Sequence, residues 1–153
     1  MRRQRGFTLV ELAVSLTIAA ILAAVAMPSV TMMLAGNRIR TGGTDLMSAL
    51  LLARSEAIKR NAQVAVQPAS GNWSQGWTVA AVASGEQFDV KNAIGADVYV
   101  SGPSSGVVYE RNGRLSAFGT TRIELADVHQ RATPRCLAID LSGMPKITQG
   151  SCT

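Results

Sequence analysis

One carboxylate in this chain stands where a carboxylate is costly. Glu11 is the only ionisable residue in the apolar run from Phe7 to Met27. An acid inside such a run costs about 3 kcal/mol on membrane insertion, so its presence is a functional hypothesis. Few other residues could do chemistry. Cys136 and Cys152 are the only cysteines. Their spacing does not give a Cys-x-x-Cys redox motif, and they lack partners for a zinc site. Two buried thiols or one disulfide both fit the spacing. In an oxidising compartment the disulfide is the natural reading, and closing so short a loop stabilises by about 3 kcal/mol. His129, the single histidine, lies in a polar stretch between Asp127 and Arg131 and reads as a surface loop residue. Trp73 and Trp77 read as core and rim packing rather than a ligand cage. No Ser-His-Asp or Cys-His arrangement, glycine-rich phosphate loop or metal-ligand cluster is legible. The expectation is a non-enzymatic chain with no catalytic residue, cofactor or metal.

The elements that must position Glu11 come next. Phe7 to Met27 is 21 residues, and a helix of that length spans roughly 30 Å, one hydrocarbon core. Arg2, Arg3 and Arg5 precede it and hold the N-terminus on the cytoplasmic side by the positive-inside rule. Ser15 and Thr17 can return their hydroxyls to the helix backbone. Three readings are open for the segment. Ala24-Val25-Ala26 supplies the pattern of an ordinary cleaved secretory signal; a plain signal anchor is the second. The third is a leader cut after Gly6 that leaves the apolar helix in place. Glu11 disfavours the first two, which need no carboxylate there.

The charge balance is largely a topology signal. The chain has 15 basic and 10 acidic residues, net +5. Without the three leader arginines the remainder holds 12 basic residues against 10 acidic, a net of +2. What excess remains is concentrated after Arg111. Beyond Pro28 the stretch Ser29 to Arg40 can continue the helix, but Gly36 and the pair Gly42-Gly43 weaken it by about 1 kcal/mol each. Thr44 or Asp45 is positioned to cap a new start. Asp45 to Arg60 is strongly helical, with Leu46, Leu50, Ala53 and Ala57 on one stripe, widened by Met47, Leu51 and Ile58. Strand candidates follow at Gln63–Gln67, Gly76–Ala83, Val98–Ser101, Val107–Glu110, Arg122–Leu125 and Cys136–Leu141. Between them lie a polar turn region at Pro68–Gln75 and breakers at 101–106, Asn112-Gly113, Ser142-Gly143 and Pro145. Asn112-Gly113 is the strongest hairpin signal. Helix first and strands afterwards predicts an α+β fold with antiparallel sheet.

The string Gly6-Phe7-Thr8-Leu9-Val10-Glu11 resembles the leader junction of type IV prepilins and type II secretion pseudopilins. Asp45 to Asn61, then Val64-Ala65-Val66, Trp73 and Gly76-Trp77, resembles the GspH/FimT family of minor pilins and pseudopilins. Asn112-Gly113-Arg114 and Cys136 to Gly143 are similar to C-terminal elements of that family. The resemblance implies four parts: a leader at 1–6, a transmembrane and fibre-core helix at 7–30, an amphipathic helical part at 31–60, and a β-rich periplasmic head at 61–153. It implies cleavage between Gly6 and Phe7 by a prepilin peptidase, N-methylation of Phe7, and a helix kink at Pro28. It also implies residence in the bacterial inner membrane and then in a pilus or pseudopilus tip, with other major and minor pilins as partners. Glu11 would then neutralise an N-terminal amine, its own or a neighbour's, and pairing between subunits would fix their axial stagger.

DNA is the other partner the resemblance raises. Some FimT-type members carry a Gly-Arg-x-Arg motif linked with DNA uptake. The matching place is Gly143-Met144-Pro145-Lys146, where Met cannot pair with phosphate and Lys lacks the guanidinium fork. Arg114, Arg131, Arg135 and Lys146 remain as candidates for a basic patch, which would bind weakly and with strong salt dependence.

Overall fold

A computed structural model describes residues 7–116 and 121–153. Helix α1 runs from Leu9 to Arg60 without interruption. The expected break at Gly42-Gly43, with a fresh start at Thr44 or Asp45, does not occur. The glycines sit inside the helix because the head approaches it there. A Cβ on Gly42 would lie 2.7 Å from Ile94 Cδ1 and 3.3 Å from Leu125 Cδ2, and one on Gly43 would lie 2.8 Å from Ile147 Cδ1. Close packing offsets the helix propensity that glycine lacks. Pro28 also lies inside the unbroken helix; it has no N–H to give the carbonyl one turn back. The helix stops at Asn61, which takes a left-handed conformation (φ 50°) and returns its N–H to the last turn.

Eight strands follow: β1 (Val64–Pro68), β2 (Gly76–Ala81), β3 (Gln87–Asn92), β4 (Val98–Ser101), β5 (Val107–Tyr109), β6 (Thr121–Asp127), β7 (Arg135–Ile139) and β8 (Pro145–Gln149). They form two four-stranded antiparallel sheets, ordered β3-β2-β1-β5 and β4-β6-β7-β8. Both pack on the second half of α1. Leu46, Leu50, Ala53 and Ala57 are fully buried against Val64, Val66, Val79, Ile123, Leu125, Leu137 and Ile139. The stripe is narrower than the sequence suggests: Met47 is half-buried, and Leu51 and Ile58 are exposed.

The sequence pattern does not mark β3 or β8. Both are edge strands. Val90 on β3 is exposed and the strand buries none of its residues, so no apolar alternation marks it. β8 begins on Pro145, which is tolerated as the first residue of an edge strand. Asn112-Gly113 does turn the chain. Gly113 N–H donates to the Glu110 carbonyl at 2.7 Å and Glu110 N–H to the Arg114 carbonyl at 2.8 Å. Among the described residues the returning segment makes one bridge, Leu115 to Tyr109.

Trp73 and Trp77 are both core residues. Trp73 Nε1 donates to the Pro103 carbonyl at 3.0 Å. Trp77 Nε1 and the Tyr109 hydroxyl have no partner among the described residues, and burial pushes the Tyr109 phenol well above its ordinary range.

Candidate functional site

From Phe7 to Leu34 every side chain of the N-terminal half is exposed, and Ala35 is the first that the head buries. This is the one described helix long and apolar enough to cross a membrane. At its start, Thr8 and Glu11 form a reciprocal cap. Thr8 N–H donates to Glu11 Oε2 at 2.9 Å, the Thr8 hydroxyl donates to the same oxygen at 3.0 Å, and Glu11 N–H donates to Thr8 Oγ1 at 3.3 Å. The carboxylate is thus turned back toward the N-terminal end, beside the residue that follows Phe7. The helix dipole favours a negative charge there. Ser15 and Thr17 return their hydroxyls to the carbonyls of Glu11 and Ala13 at 2.7 and 2.8 Å. Gly6 and the three arginines before it lie outside the described residues. Thr8 was missed as a functional residue, although its signal, Thr-x-x-Glu ahead of an apolar run, is present in the sequence.

Where the helix enters the head, four charges from three separate segments meet. Arg38 Nη1 pairs with Asp97 Oδ2 at 3.0 Å, and Arg131 Nη2 reaches the same oxygen at 3.3 Å. Arg131 also forks onto Asp127, with Nη2 to Oδ1 at 2.8 Å and Nε to Oδ2 at 3.0 Å, while its backbone N–H donates to Oδ2 at 2.9 Å. Asp127 is buried. The Arg131 guanidinium holds its carboxyl far below the usual range, and Asp127 holds Arg131 above its own. His129 is exposed on the same loop, its Nε2 3.9 Å from Asp97 Oδ1.

The four basic candidates do not form one patch. Arg131 is engaged by two carboxylates at the Arg38 end. Arg114 lies at the other end of the head, its Nε 3.4 Å from the Leu141 carbonyl, near Gly113, whose turn packs on Arg54 and Ile58. The two ends are roughly 25 Å apart along α1, by its rise per residue. Arg135 and Lys146 take opposite faces of one sheet. Arg135 aligns with Gln149 on the helix-facing side, close to Gly43, while Lys146 pairs in register with Ala138 on the other side. In the Gly143 to Lys146 string, Gly143 is wedged against the Gly113 carbonyl with φ +80°, and Met144 Sδ accepts a hydrogen bond from Arg54 Nη1 at 2.6 Å.

Cys136 and Cys152 are joined, with Cα atoms 5.0 Å apart. The bond brings the chain after β8 back across the outer face of β7. Gly150 N–H donates to the Pro134 carbonyl at 2.8 Å, and Cys152 N–H donates to Glu124 Oε2 at 2.6 Å on β6. Among the described residues no group of histidine, cysteine, aspartate and glutamate is arranged to hold a metal.

Two family profiles match the chain. That of the type II transport protein GspH covers residues 43–143, and that of the prokaryotic N-terminal methylation motif covers residues 1–27. Two solved structures share the fold, both of the type IV minor pilin FimU from Pseudomonas aeruginosa strain PAO1. One superposes with a TM-score of 0.60 at 19% identity, over 75% of this chain and 90% of that one. The other, in a second crystal form, gives 0.55 at 20% identity, over 73% and 92%. No curated protein matches the chain.

Proposed function

We infer from the GspH family, to which this chain belongs, that it works as a minor type IV pilin, a structural subunit of the pilus assembly and tip. On this reading residues 1–6 are a leader held in the cytoplasm, and residues 7–30 cross the inner membrane. Residues 31–60 join the span to a periplasmic head at 61–153. A prepilin peptidase cuts between Gly6 and Phe7, and Phe7 is N-methylated. The mature subunit then leaves the bilayer for a fibre, where other pilins cover its apolar helix.

The observation that carries this reading is the pairing of a wholly exposed apolar half-helix with one carboxylate held at its very start. A span that remained in lipid has no use for that acid. A fibre that buries a new amine at Phe7 does, because the pair relieves the cost of either charge alone. Intact-mass measurement of membrane-extracted protein tests it. The expected mature chain begins at methylated Phe7 and has 147 residues. A chain beginning at Met27 would mean an ordinary secretory signal and end the pilin reading.

The family profile favours one second reading, since it is described for a type II transport protein: a minor pseudopilin of a secretion system. The anchor is common to both readings. Co-purification separates them, with sheared pili in one case and with a type II secretion pseudopilus in the other. DNA binding draws no support from the geometry, given the scatter of Arg114, Arg131, Arg135 and Lys146.

A further inference from the structure

Between Glu11 and Arg38 no residue carries a charge. A helix over that interval is about 40 Å long, longer than the roughly 30 Å hydrocarbon core and comparable to a bilayer with its headgroup layers included. The exposed apolar surface likewise continues past Met27, through Val30, Met32, Met33 and Leu34. The span therefore does not end at the edge of the hydrocarbon. It runs up to the underside of the head.

That underside is built from two loops set level with the helix at Gly36 to Arg38. Ala132 packs 3.9 Å from where a Gly36 Cβ would stand, and Asp97 pairs with Arg38. Val128 is tied to the same level, because its N–H donates to the Asp97 carbonyl at 2.9 Å, yet its side chain is 56% exposed. A small cleft opens between the loops and α1, lined by Thr31, Leu34, Ala35, Arg38, Asp97 and Arg131. Its apolar wall is the helix side nearer the span. Its far wall carries two guanidiniums and a carboxylate. That two-zone profile, apolar toward the span and ion-paired beyond it, matches the boundary between acyl chain and headgroup.

We propose that the underside of the head is a membrane-contact surface: before assembly, Val128 and the Leu34 end of α1 sit in the phospholipid headgroup layer, and the head rests on the bilayer rather than standing clear of it. The proposal rests on reading residues 7–30 as a span. Continuity decides the occupant, since the exposed apolar surface of the span reaches Leu34, at the underside, with no charged residue before Arg38.

Depth measurement tests it on the full chain in vesicles of phosphatidylethanolamine and phosphatidylglycerol. With the native cysteines in their disulfide, an environment-sensitive fluorophore is attached at Val128→Cys, at Leu16→Cys within the span, and at Ser84→Cys on a remote exposed turn. Gln130→Cys provides a second probe of the underside. The expected result is blue-shifted emission, headgroup-nitroxide quenching and loss of iodide quenching at 128, with deeper acyl-chain quenching at 16 and full iodide access at 84. If 16 is lipid-quenched while 128 and 130 are as open to iodide as 84, the contact surface is refuted and the span survives. If 16 itself is open to iodide, the span reading falls and the proposal falls with it.

Discussion

Thr8 and Glu11 hold each other across the first turn of α1, each backbone N–H donating to the other's side-chain oxygen at 2.9 and 3.3 Å. The carboxylate is therefore positioned before any partner subunit is present. It still has acceptor capacity to spare for an amine at Phe7.

Capping and assembly are separable roles for Glu11. Glu11→Ala is expected to insert and be processed but to enter fibres poorly. Thr8→Val keeps the carboxylate and loses only the hydroxyl's cap, worth about 1 kcal/mol. It is expected to assemble close to normally. The ratio of protein in sheared fibres to protein in membranes measures both. Equal defects in the two variants would reduce Glu11 to a helix cap.

The glycines of α1 divide into opposite signs. Gly36 has open space around it, with Ala132 Cβ at an ordinary 3.9 Å. Gly36→Ala should stabilise by up to about 1 kcal/mol through helix propensity. Gly42→Val should destabilise by about 1–3 kcal/mol, because Ile94 and Leu125 occupy the space its side chain needs. Thermal melting of the full chain in detergent should move up for the first and down for the second. A Gly42→Val protein that melts with wild type would mean the contact is loose.

Asp127 makes stability pH-dependent in a predictable direction. Its carboxyl is lowered in the folded chain, chiefly by the Arg131 guanidinium. Its contribution is thus fully present above the ordinary carboxylate range near pH 4 and is lost as pH falls below it. Arg131→Met leaves the buried carboxylate without its fork. That should lower stability near neutral pH, and the loss should shrink toward acid pH as Asp127 protonates. Denaturant midpoints at pH 7 and pH 4 check this. A cost independent of pH would assign the loss to packing.

The cross-link between Cys136 and Cys152 should be found by non-reducing peptide mapping, and reduction should lower stability by about 3 kcal/mol. The hydrogen bonds that the tail's N–H groups donate to Pro134 and Glu124 are expected to loosen with it, which amide hydrogen exchange at Gly150 and Cys152 reports. Exchange unchanged on reduction would mean that those hydrogen bonds hold the tail alone.

Much of this architecture was legible residue by residue. Leu46, Leu50, Ala53 and Ala57 marked the buried stripe because a helical period survives in any context. Six of the eight strands showed through β-branched runs between turn residues. Of the four edge strands, β4 and β5 alternate buried and more exposed residues and were legible, whereas β3 and β8 bury too little to impose a pattern, as Asp89 and Val90 show on β3. Gly42-Gly43 misled for a different reason. Propensity is local, whereas the contacts of those glycines with Ile94 and Ile147 come from residues distant in sequence. The same distance hid the meeting of Arg38, Asp97, Asp127 and Arg131. Local charge density gave no hint that Arg135 and Lys146 take opposite faces of a sheet.

The notch at Gly42 and Gly43 bears on how the subunit carries load. α1 is continuous from Leu9 to Arg60, so a pull on its N-terminal half is passed to the head through the helix. It arrives as shear along the seam between helix and sheet. Ile94 and Ile147 sit in the notch like teeth, and the helix cannot slide axially without lifting off them. The side chains that fill two glycine positions thus add an axial lock to the buried seam between helix and sheet.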